Sequence, residues 1–158
     1  MVERTQVADR SAALPETRSR LVVTWRPIEH VTGHPAFTAL MERDELAAAD
    51  ARRMLTAVLT RWGLMDLQDE MHLVATELVA NAAKHGNGDH IRVNVLRTAA
   101  RRVRVAVTDK SRKPPELRAV DEFAESGRGL HLVQAVASNV GVIPLPWGKS
   151  VWAEVGVA

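Results

Sequence analysis

The chain has 158 residues, of which 46% are hydrophobic and 25% charged, with a formal net charge of +2. This size and composition indicate one soluble globular domain, and the absence of cysteine excludes disulfides, thiolate zinc sites and cysteine nucleophiles. A small net charge, no tyrosine and only two phenylalanines argue against direct nucleic-acid binding. No apolar run is long enough for a membrane helix, so we expect a cytoplasmic protein that binds neither nucleic acid nor membrane.

The first residues differ in character from the rest of the chain. Residues 1 to 20 are polar, carry charges of both signs and contain Pro15, which predicts a mobile N-terminal arm. One domain is expected over residues 21 to 158. It starts with a strand candidate, "LVVTW" at residues 21 to 25, which we expect to stop at Pro27.

Two helices are predicted after this strand. Residues 29 to 40 show no clear period, but apolar residues then recur at three and four positions and predict a helix over residues 43 to 62, ended by Gly63. The segment "MDLQDEMHLVATELVANAAKHG" has the same spacing, with acidic residues near its start and Gly86 at its end. It predicts a second helix.

The second half of the chain alternates strands with one further helix. The segments "IRVNVLR" and "RVRVAVTD", joined by "TAAR", predict an antiparallel hairpin with one covered face. A long connection with two prolines follows, and such loops are often functional. "GRGLHLVQAVASN" predicts a helix, and "VGVIPL" and "SVWAEVGV" predict two strands. This order predicts an α+β fold, a two-layer α/β sandwich with helices on one face of a mainly antiparallel mixed sheet.

Two polar side chains of the second helix stand among apolar neighbours. Between residues 73 and 83 only Thr76, Glu77 and Asn81 are polar, and a polar group in such surroundings is costly unless something satisfies it. On a helical wheel Glu77, Asn81 and Lys84 form a stripe that borders the apolar face. An amide oxygen can ligate Mg²⁺ and a carboxylate can act as a general base. The same stripe also fits the exposed side of an ordinary amphipathic helix.

Two glycines precede the third predicted helix. "ESGRGLHLV" places Gly127 and Gly129 on either side of Arg128. Glycine lets the backbone approach an anion and a helix N-terminus offers free N–H groups, so this segment is either a phosphate site or a flexible loop before a helix. It is not a dinucleotide fingerprint, because Leu132 replaces the third glycine, and "IPLPWGKS" is not a P-loop, because Ile143 replaces the first glycine.

Taken together, these segments resemble the GHKL ATP-binding superfamily with its Bergerat fold, which includes gyrase-type ATPases, histidine-kinase catalytic domains and anti-sigma-factor serine kinases. "TELVANAAKHG" is similar to the N-box. That similarity implies that Glu77 is the base, that Asn81 ligates Mg²⁺, and that Lys84 and His85 lie close to the phosphates. "VAVTDKS" is similar to the first glycine box, whose aspartate, here Asp109, receives the amino group of adenine.

The remaining motifs follow in family order. "SGRGLHLV" resembles the ATP lid, and "WGKSVWAEV" resembles the closing strand motif, which implies that Ser150 lies near the adenine side of the pocket. The family commonly has glycine where this chain has Ser111, so we expect this serine to lie beside the adenine. The residues expected in the lid are Gly127, Arg128, Gly129 and Leu130.

Within the superfamily the motifs are most similar to anti-sigma-factor serine/threonine kinases of the actinobacterial type. We expect a stand-alone domain, since no phosphoacceptor helix pair precedes it and no transducer domain follows. The resemblance implies ATP and Mg²⁺ as cofactors, an anti-anti-sigma-type protein as substrate, a sigma factor as second partner, and a role in transcription regulation. The helix predicted over residues 43 to 62 is a candidate surface for a homodimer or for a partner. The alternative is a non-catalytic regulator, responsive to nucleotide or free of it, that sequesters its partner.

Overall fold

A computed structural model describes residues 25–30, 32–115 and 128–157. The expected N-terminal arm lies outside these residues, and so does the strand candidate at residues 21 to 25 except for Trp25. Among the described residues, none of the helices combines the length and the apolarity that a bilayer crossing requires.

Six strands form one sheet and three α-helices accompany it. The strands are β1 (Arg26–Glu29), β2 (Pro35–Glu42), β3 (His90–Ala99), β4 (Arg101–Asp109), β5 (Asn139–Leu145) and β6 (Gly148–Val157). The helices are α1 (Ala47–Trp62), α2 (Gln68–His85) and α3 (Arg128–Val136), with a 3₁₀ turn, Met65–Leu67, between α1 and α2. The sheet order is β1-β2-β3-β4-β6-β5, and every pairing within the described residues is antiparallel. The predicted α+β sandwich is confirmed.

The core lies between the helices and one face of the sheet. Valines at alternate positions of β3 and β4 are fully or almost fully buried, and the register sets Val93 opposite Val107 and Val95 opposite Val105. Apolar residues of α1 and α2, such as Leu55 of α1, cover this row. The predicted hairpin and its covered face are therefore confirmed, because an alternating strand buries one side against helices.

Strand β2 is absent from the sequence prediction, which found no period in residues 29 to 40. Its inward residues Ala39 and Met41 pack in the core, while Ala36 and Thr38 of the other face are also buried. Since both faces carry small or apolar side chains, the period of two is not visible in the sequence. Pro27, expected to stop a strand, lies within edge strand β1, where a missing N–H is tolerated.

Local interactions determine where α1 begins and where it ends. The helix begins at Ala47, four residues later than the pattern predicts. The side chain of Asp44 accepts a hydrogen bond from the Leu46 N–H at 2.9 Å, and such a local bond favours a turn over a helix. The other end is as predicted, since Gly63 adopts the left-handed conformation with φ of 69° that commonly terminates a helix.

Arg43 ties the end of α2 to the end of β2. Its Nη1 donates to the Ala83 carbonyl at 2.7 Å and its Nε donates to the Gly88 carbonyl at 2.5 Å. Its backbone N–H donates to the Asp89 carbonyl at 2.7 Å. The bond to Ala83 satisfies a carbonyl group that the helix end leaves free, and the other two bonds hold the loop that follows α2.

Helices α1 and α2 also meet through polar side chains. Nη1 of Arg52 donates to Oγ1 of Thr76 at 3.0 Å, and Oγ1 of Thr56 lies 3.0 Å from Nε2 of His72. Burial, with a smaller contribution from the charge of Arg52, lowers the pKa of His72 below its usual value. The neutral imidazole is therefore the form that the folded chain prefers.

This preference predicts a pH dependence of stability. Between the lowered pKa and about 6.5 the unfolded chain binds more protons at His72 than the folded chain does, so this contribution is complete above pH ~6.5 and is lost as the pH falls. We expect the urea midpoint to fall between pH 7.5 and pH 5.5, and to fall less in a His72→Gln variant. Equal falls in the two proteins would show that His72 does not contribute.

Candidate functional site

Helix α2 presents the predicted polar stripe at the border of the core. Its apolar face is buried, Glu77 and Asn81 are half-buried one turn apart, and Lys84 and His85 are exposed in the last turn. Within the described part of the chain neither the Glu77 carboxylate nor the Asn81 amide has a hydrogen-bond partner. Neither belongs to the fully buried polar groups that lack a partner, so both side chains are open to solvent or to a ligand.

The first turn of α3 lies directly against the Glu77 carboxylate. A Cβ added at Gly129 would overlap Oε2 of Glu77, and it would lie 3.6 Å from the Cβ of Glu77. Leu130 and Val133 hold α3 on the core from the next positions. Of the other expected lid residues, Gly127 lies outside the described residues, and Arg128 is described only as the first residue of the helix.

Asp109 ends β4 and is 2% exposed. Its Oδ1 accepts a hydrogen bond from the Ser111 N–H at 2.6 Å. Nζ of Lys149 lies 3.2 Å from Oδ1 and 3.1 Å from Oδ2, and it also donates to the Ser111 carbonyl at 3.3 Å. Lys149 itself is 4% exposed. The site therefore holds a buried ion pair that is hydrogen-bonded to the loop after β4, the condition under which such pairs are tolerated.

Ser111 fits its position without strain. Its N–H is bonded to Asp109, and its Oγ accepts a hydrogen bond from the Lys113 N–H at 3.3 Å. No non-glycine residue in the described ranges has a positive φ, so the serine does not occupy a conformation that would need glycine. The loop after β4 is instead held by the two short-range bonds that Asp and Ser side chains typically make in turns.

Two glycines bring neighbouring segments close to Asp109. Gly86, which follows the last residue of α2, would place an added Cβ 3.1 Å from the Cβ of Asp109. A Cβ at Gly148, the first residue of β6, would overlap the Asp109 carbonyl oxygen. The end of α2, the end of β4 and the start of β6 therefore converge, and the polar stripe of α2 leads towards Asp109.

An apolar cavity of about 220 Å³ opens between the helices and the β5 side of the sheet. It is smaller than the ~300–1,000 Å³ of sites that enclose a whole drug-sized ligand, so it suits one flat, largely apolar part of a ligand. Its walls come from α2 and α3, the loop after β4, and strands β5 and β6. Among the lining residues are Leu78, Pro115, Leu130, Val133, Val142 and Val151.

The structure does not bring Ser150 together with Asp109 and Lys149. In the register of β4 and β6, Ser150 is opposite Thr108, and Lys149 is opposite Asp109. Successive side chains of a strand point to opposite faces, so Ser150 lies on the sheet face turned away from the helices. Lys149 takes the inward place, which the sequence analysis did not assign to it. Lys149 and Val151 are two residues apart, so the period of a strand places them on the same face. This pattern in the sequence could have predicted the inward position of Lys149.

Asn81 is the one Mg²⁺ ligand that the resemblance implies. No group of three or more His, Cys, Asp or Glu side chains in the described ranges could hold a metal ion. A half-buried amide fits Mg²⁺ all the same, because this ion usually keeps several waters and takes further oxygens from substrate phosphates. The residues present are compatible with Mg²⁺ that arrives with a nucleotide, and not with a resident metal held by a protein cage.

A family model described as "Histidine kinase-like ATPase domain" matches residues 41–154, which include Glu77, Asn81, Asp109 and Lys149. No curated protein matches the chain.

The close approach of α3 to Glu77 gives a testable prediction. Gly129→Ala places a methyl group where the carboxylate of the flexible Glu77 side chain lies, so that side chain must move and we expect a lower melting temperature than the same substitution gives without Glu77. In a Glu77→Ala background the nearest atom left of that side chain is its Cβ, at an ordinary contact distance of 3.6 Å. There Gly129→Ala is expected to be neutral or stabilising, because alanine favours a helix over glycine by up to ~1 kcal/mol.

Thermal unfolding of the four proteins measures this coupling. Equal effects of Gly129→Ala in the two backgrounds would show that the first turn of α3 does not rest on the carboxylate.

Proposed function

The chain belongs to the histidine kinase-like ATPase domain family, of the GHKL type, and from this premise we propose that it is a regulatory protein kinase that transfers the γ-phosphoryl group of ATP to a serine or threonine hydroxyl of a protein partner. One observation carries the proposal. The Glu77 carboxylate, without a partner in the described residues, lies against the N-terminal turn of α3. A base and a helix end suited to phosphate are therefore neighbours.

The apolar cavity and the polar stripe of α2 support a position for the nucleotide. The base enters the apolar cavity, with its amino group directed to Asp109. The phosphates lie between the polar stripe of α2 and the first turn of α3, where the exposed Lys84 and His85 and the dipole of α3 favour negative charge. Asn81 would hold Mg²⁺, which supplies neutralisation of phosphate charge when bound.

The chemical step needs little from the protein beyond positioning and charge. Glu77 accepts the proton of the attacking hydroxyl. The hydroxyl oxygen forms a bond to the γ-phosphorus as the bond from that phosphorus to the bridging oxygen breaks, and ADP leaves with the electron pair. Phosphoryl transfer depends mainly on alignment and electrostatic stabilisation. A short set of residues on two helices is therefore sufficient.

The proposed partner is a small protein of the anti-anti-sigma type, with a sigma factor as the second partner. A phosphoserine or phosphothreonine carries a charge of about −1.5 to −2 at pH 7. In an interface fitted to a neutral hydroxyl, that charge weakens binding through repulsion and desolvation. Phosphorylation would therefore release one partner and leave the kinase domain free for the other. The expected homodimer stays a prediction.

A second candidate is a regulator that acts by sequestration without catalysis. The observation in its favour is the ion pair at Asp109, since the carboxylate expected to receive the adenine amino group already has Lys149 as a partner at 3.1 Å. In that case the same residues would set the shape of a partner-binding surface.

Nucleotide binding is the first point to test. We expect titration calorimetry to show binding of ATP and ADP that requires Mg²⁺, and we expect Asn81→Ala to weaken it about tenfold or more, the loss that follows from one ligand or charge-assisted contact. Asn87→Ala, at an exposed position just after α2, is the matched control and should bind as the wild type does. No binding by folded wild type at millimolar nucleotide would contradict the proposal.

The role of Glu77 separates the two candidates. We expect Glu77→Gln to bind Mg²⁺–ATP with wild-type affinity, and to transfer phosphate to an anti-anti-sigma-type protein about 10²- to 10⁴-fold more slowly, the usual contribution of a general base. Transfer of ³²P from labelled ATP measures the rate. Unchanged transfer in this variant would exclude Glu77 as the base, and absence of transfer in the wild type would favour sequestration.

A further inference from the structure

Lys149 is a buried cation at the centre of the site. Its Nζ contacts both carboxylate oxygens of Asp109 and the carbonyl of Ser111, and the residue is 4% exposed. Taking an ammonium group out of water is expensive, and an apolar pair of similar volume is often at least as stable as a buried ion pair. Packing alone therefore does not explain why a lysine occupies this buried position.

A role in linking β4 to β6 explains the buried lysine poorly. The two strands are already paired without interruption from Arg101 opposite Val157 to Asp109 opposite Lys149. The backbone hydrogen bonds of that ladder hold the strands together along their whole length. One more link between the two terminal residues adds little to the sheet.

The ion pair has hydrogen-bonding groups on both sides. An ammonium has three N–H donors, and within the described residues Lys149 has two acceptor groups, the Asp109 carboxylate and the Ser111 carbonyl. Oδ1 of Asp109 accepts from both Ser111 and Lys149, whereas Oδ2 has only the contact with Nζ at 3.1 Å. The three N–H groups of Nζ thus face three oxygens, and a ligand that replaces the contact between Nζ and Oδ2 meets one donor and one acceptor side by side.

The ion pair lies one inward strand position from a residue of the cavity wall. Lys149 and Val151 occupy successive inward positions of β6, and Pro144 and Val142 face them from β5. Val142 and Val151 line the cavity. Successive inward positions of a strand are only about 6.6 Å apart, so Lys149 lies one inward position from Val151 of the cavity wall.

We propose that Lys149 is a specificity-determining residue that reads the nucleotide base together with Asp109. This inference rests on the nucleotide site proposed above. The Watson–Crick edge of adenine carries an amino group, which is a donor, beside the ring nitrogen N1, which is an acceptor. The amino group donates to Asp109, and N1 accepts a hydrogen bond from Nζ of Lys149. The lysine also holds the carboxylate in position for this contact.

The test compares ADP with 1-deaza-ADP, in which N1 is replaced by C–H. We expect the wild type to bind 1-deaza-ADP about 10- to 100-fold more weakly than ADP, the usual effect of losing a hydrogen bond to a charged group. Lys149→Met should bind the two nucleotides with equal affinity. Lys113→Met, which removes the same charge at an exposed position of the loop after β4, should discriminate as the wild type does.

A second variant keeps the test valid if Lys149→Met fails to fold. Lys149→Met alone leaves the Asp109 carboxylate buried without its cation, and such a change can be strongly destabilising. The double variant Asp109→Asn, Lys149→Met leaves no unpaired charge, and the asparagine oxygen can still accept the amino group of adenine. We expect this variant also to bind ADP and 1-deaza-ADP equally.

The outcomes separate this inference from the proposed function. If the wild type binds ADP and 1-deaza-ADP equally, Lys149 does not contact N1, while the nucleotide site stands. Discrimination that persists without Lys149 leads to the same conclusion. If the wild type prefers GDP to ADP, the adenine assignment is wrong. If it binds no nucleotide, the proposed function and this inference both fail.

Discussion

Helix α2 buries Met71, Val74 and Leu78 against the sheet, and this packing sets the rotation of the helix about its own axis. Each such side chain contributes about 1.5–3 kcal/mol when it is fully buried. A rotation by one residue, ~100°, would expose part of this face and turn Glu77 towards the core. The hydrophobic face therefore decides that Glu77 and Asn81 lie at its border, half-buried and reachable. Everything proposed for the site depends on that border position.

Close contacts at three glycines bring the other parts of the site to α2. Gly86 and Gly148 allow close approach to Asp109, and Arg43 binds one carbonyl in the last turn of α2 and one in the loop that follows. Gly129 in turn lets α3 lie against the Glu77 carboxylate. A rigid sheet thus carries a cluster of helix ends and loops, which is the usual arrangement in proteins whose loops carry the function. The apolar cavity, the buried acid and the polar stripe are neighbours for this reason.

Sequence patterns predicted those elements whose two faces differ. The hairpin of β3 and β4, helix α2 and the end of α1 at Gly63 all show a clear period or a specific terminating residue, and the structure has them in place. Strand β2 escaped prediction because residues on both of its faces are buried. The start of α1 was placed too early because the Asp44 side chain holds a local turn that a periodic pattern cannot show. Local alternation would also have placed Ser150 on the outer face of the sheet.

The sequence by itself determined the α+β class and the pairing of Glu77 with Asn81 on one helix, because these depend on spacing within a segment. It also supplied the motifs by which the family is recognised. Only the tertiary structure decided that Lys149 pairs with Asp109, 40 residues away. The structure likewise decided that the first turn of α3 meets Glu77. Such contacts depend on the register between strands and on the packing of helices over the sheet, which are properties of the whole folded chain and of no single segment.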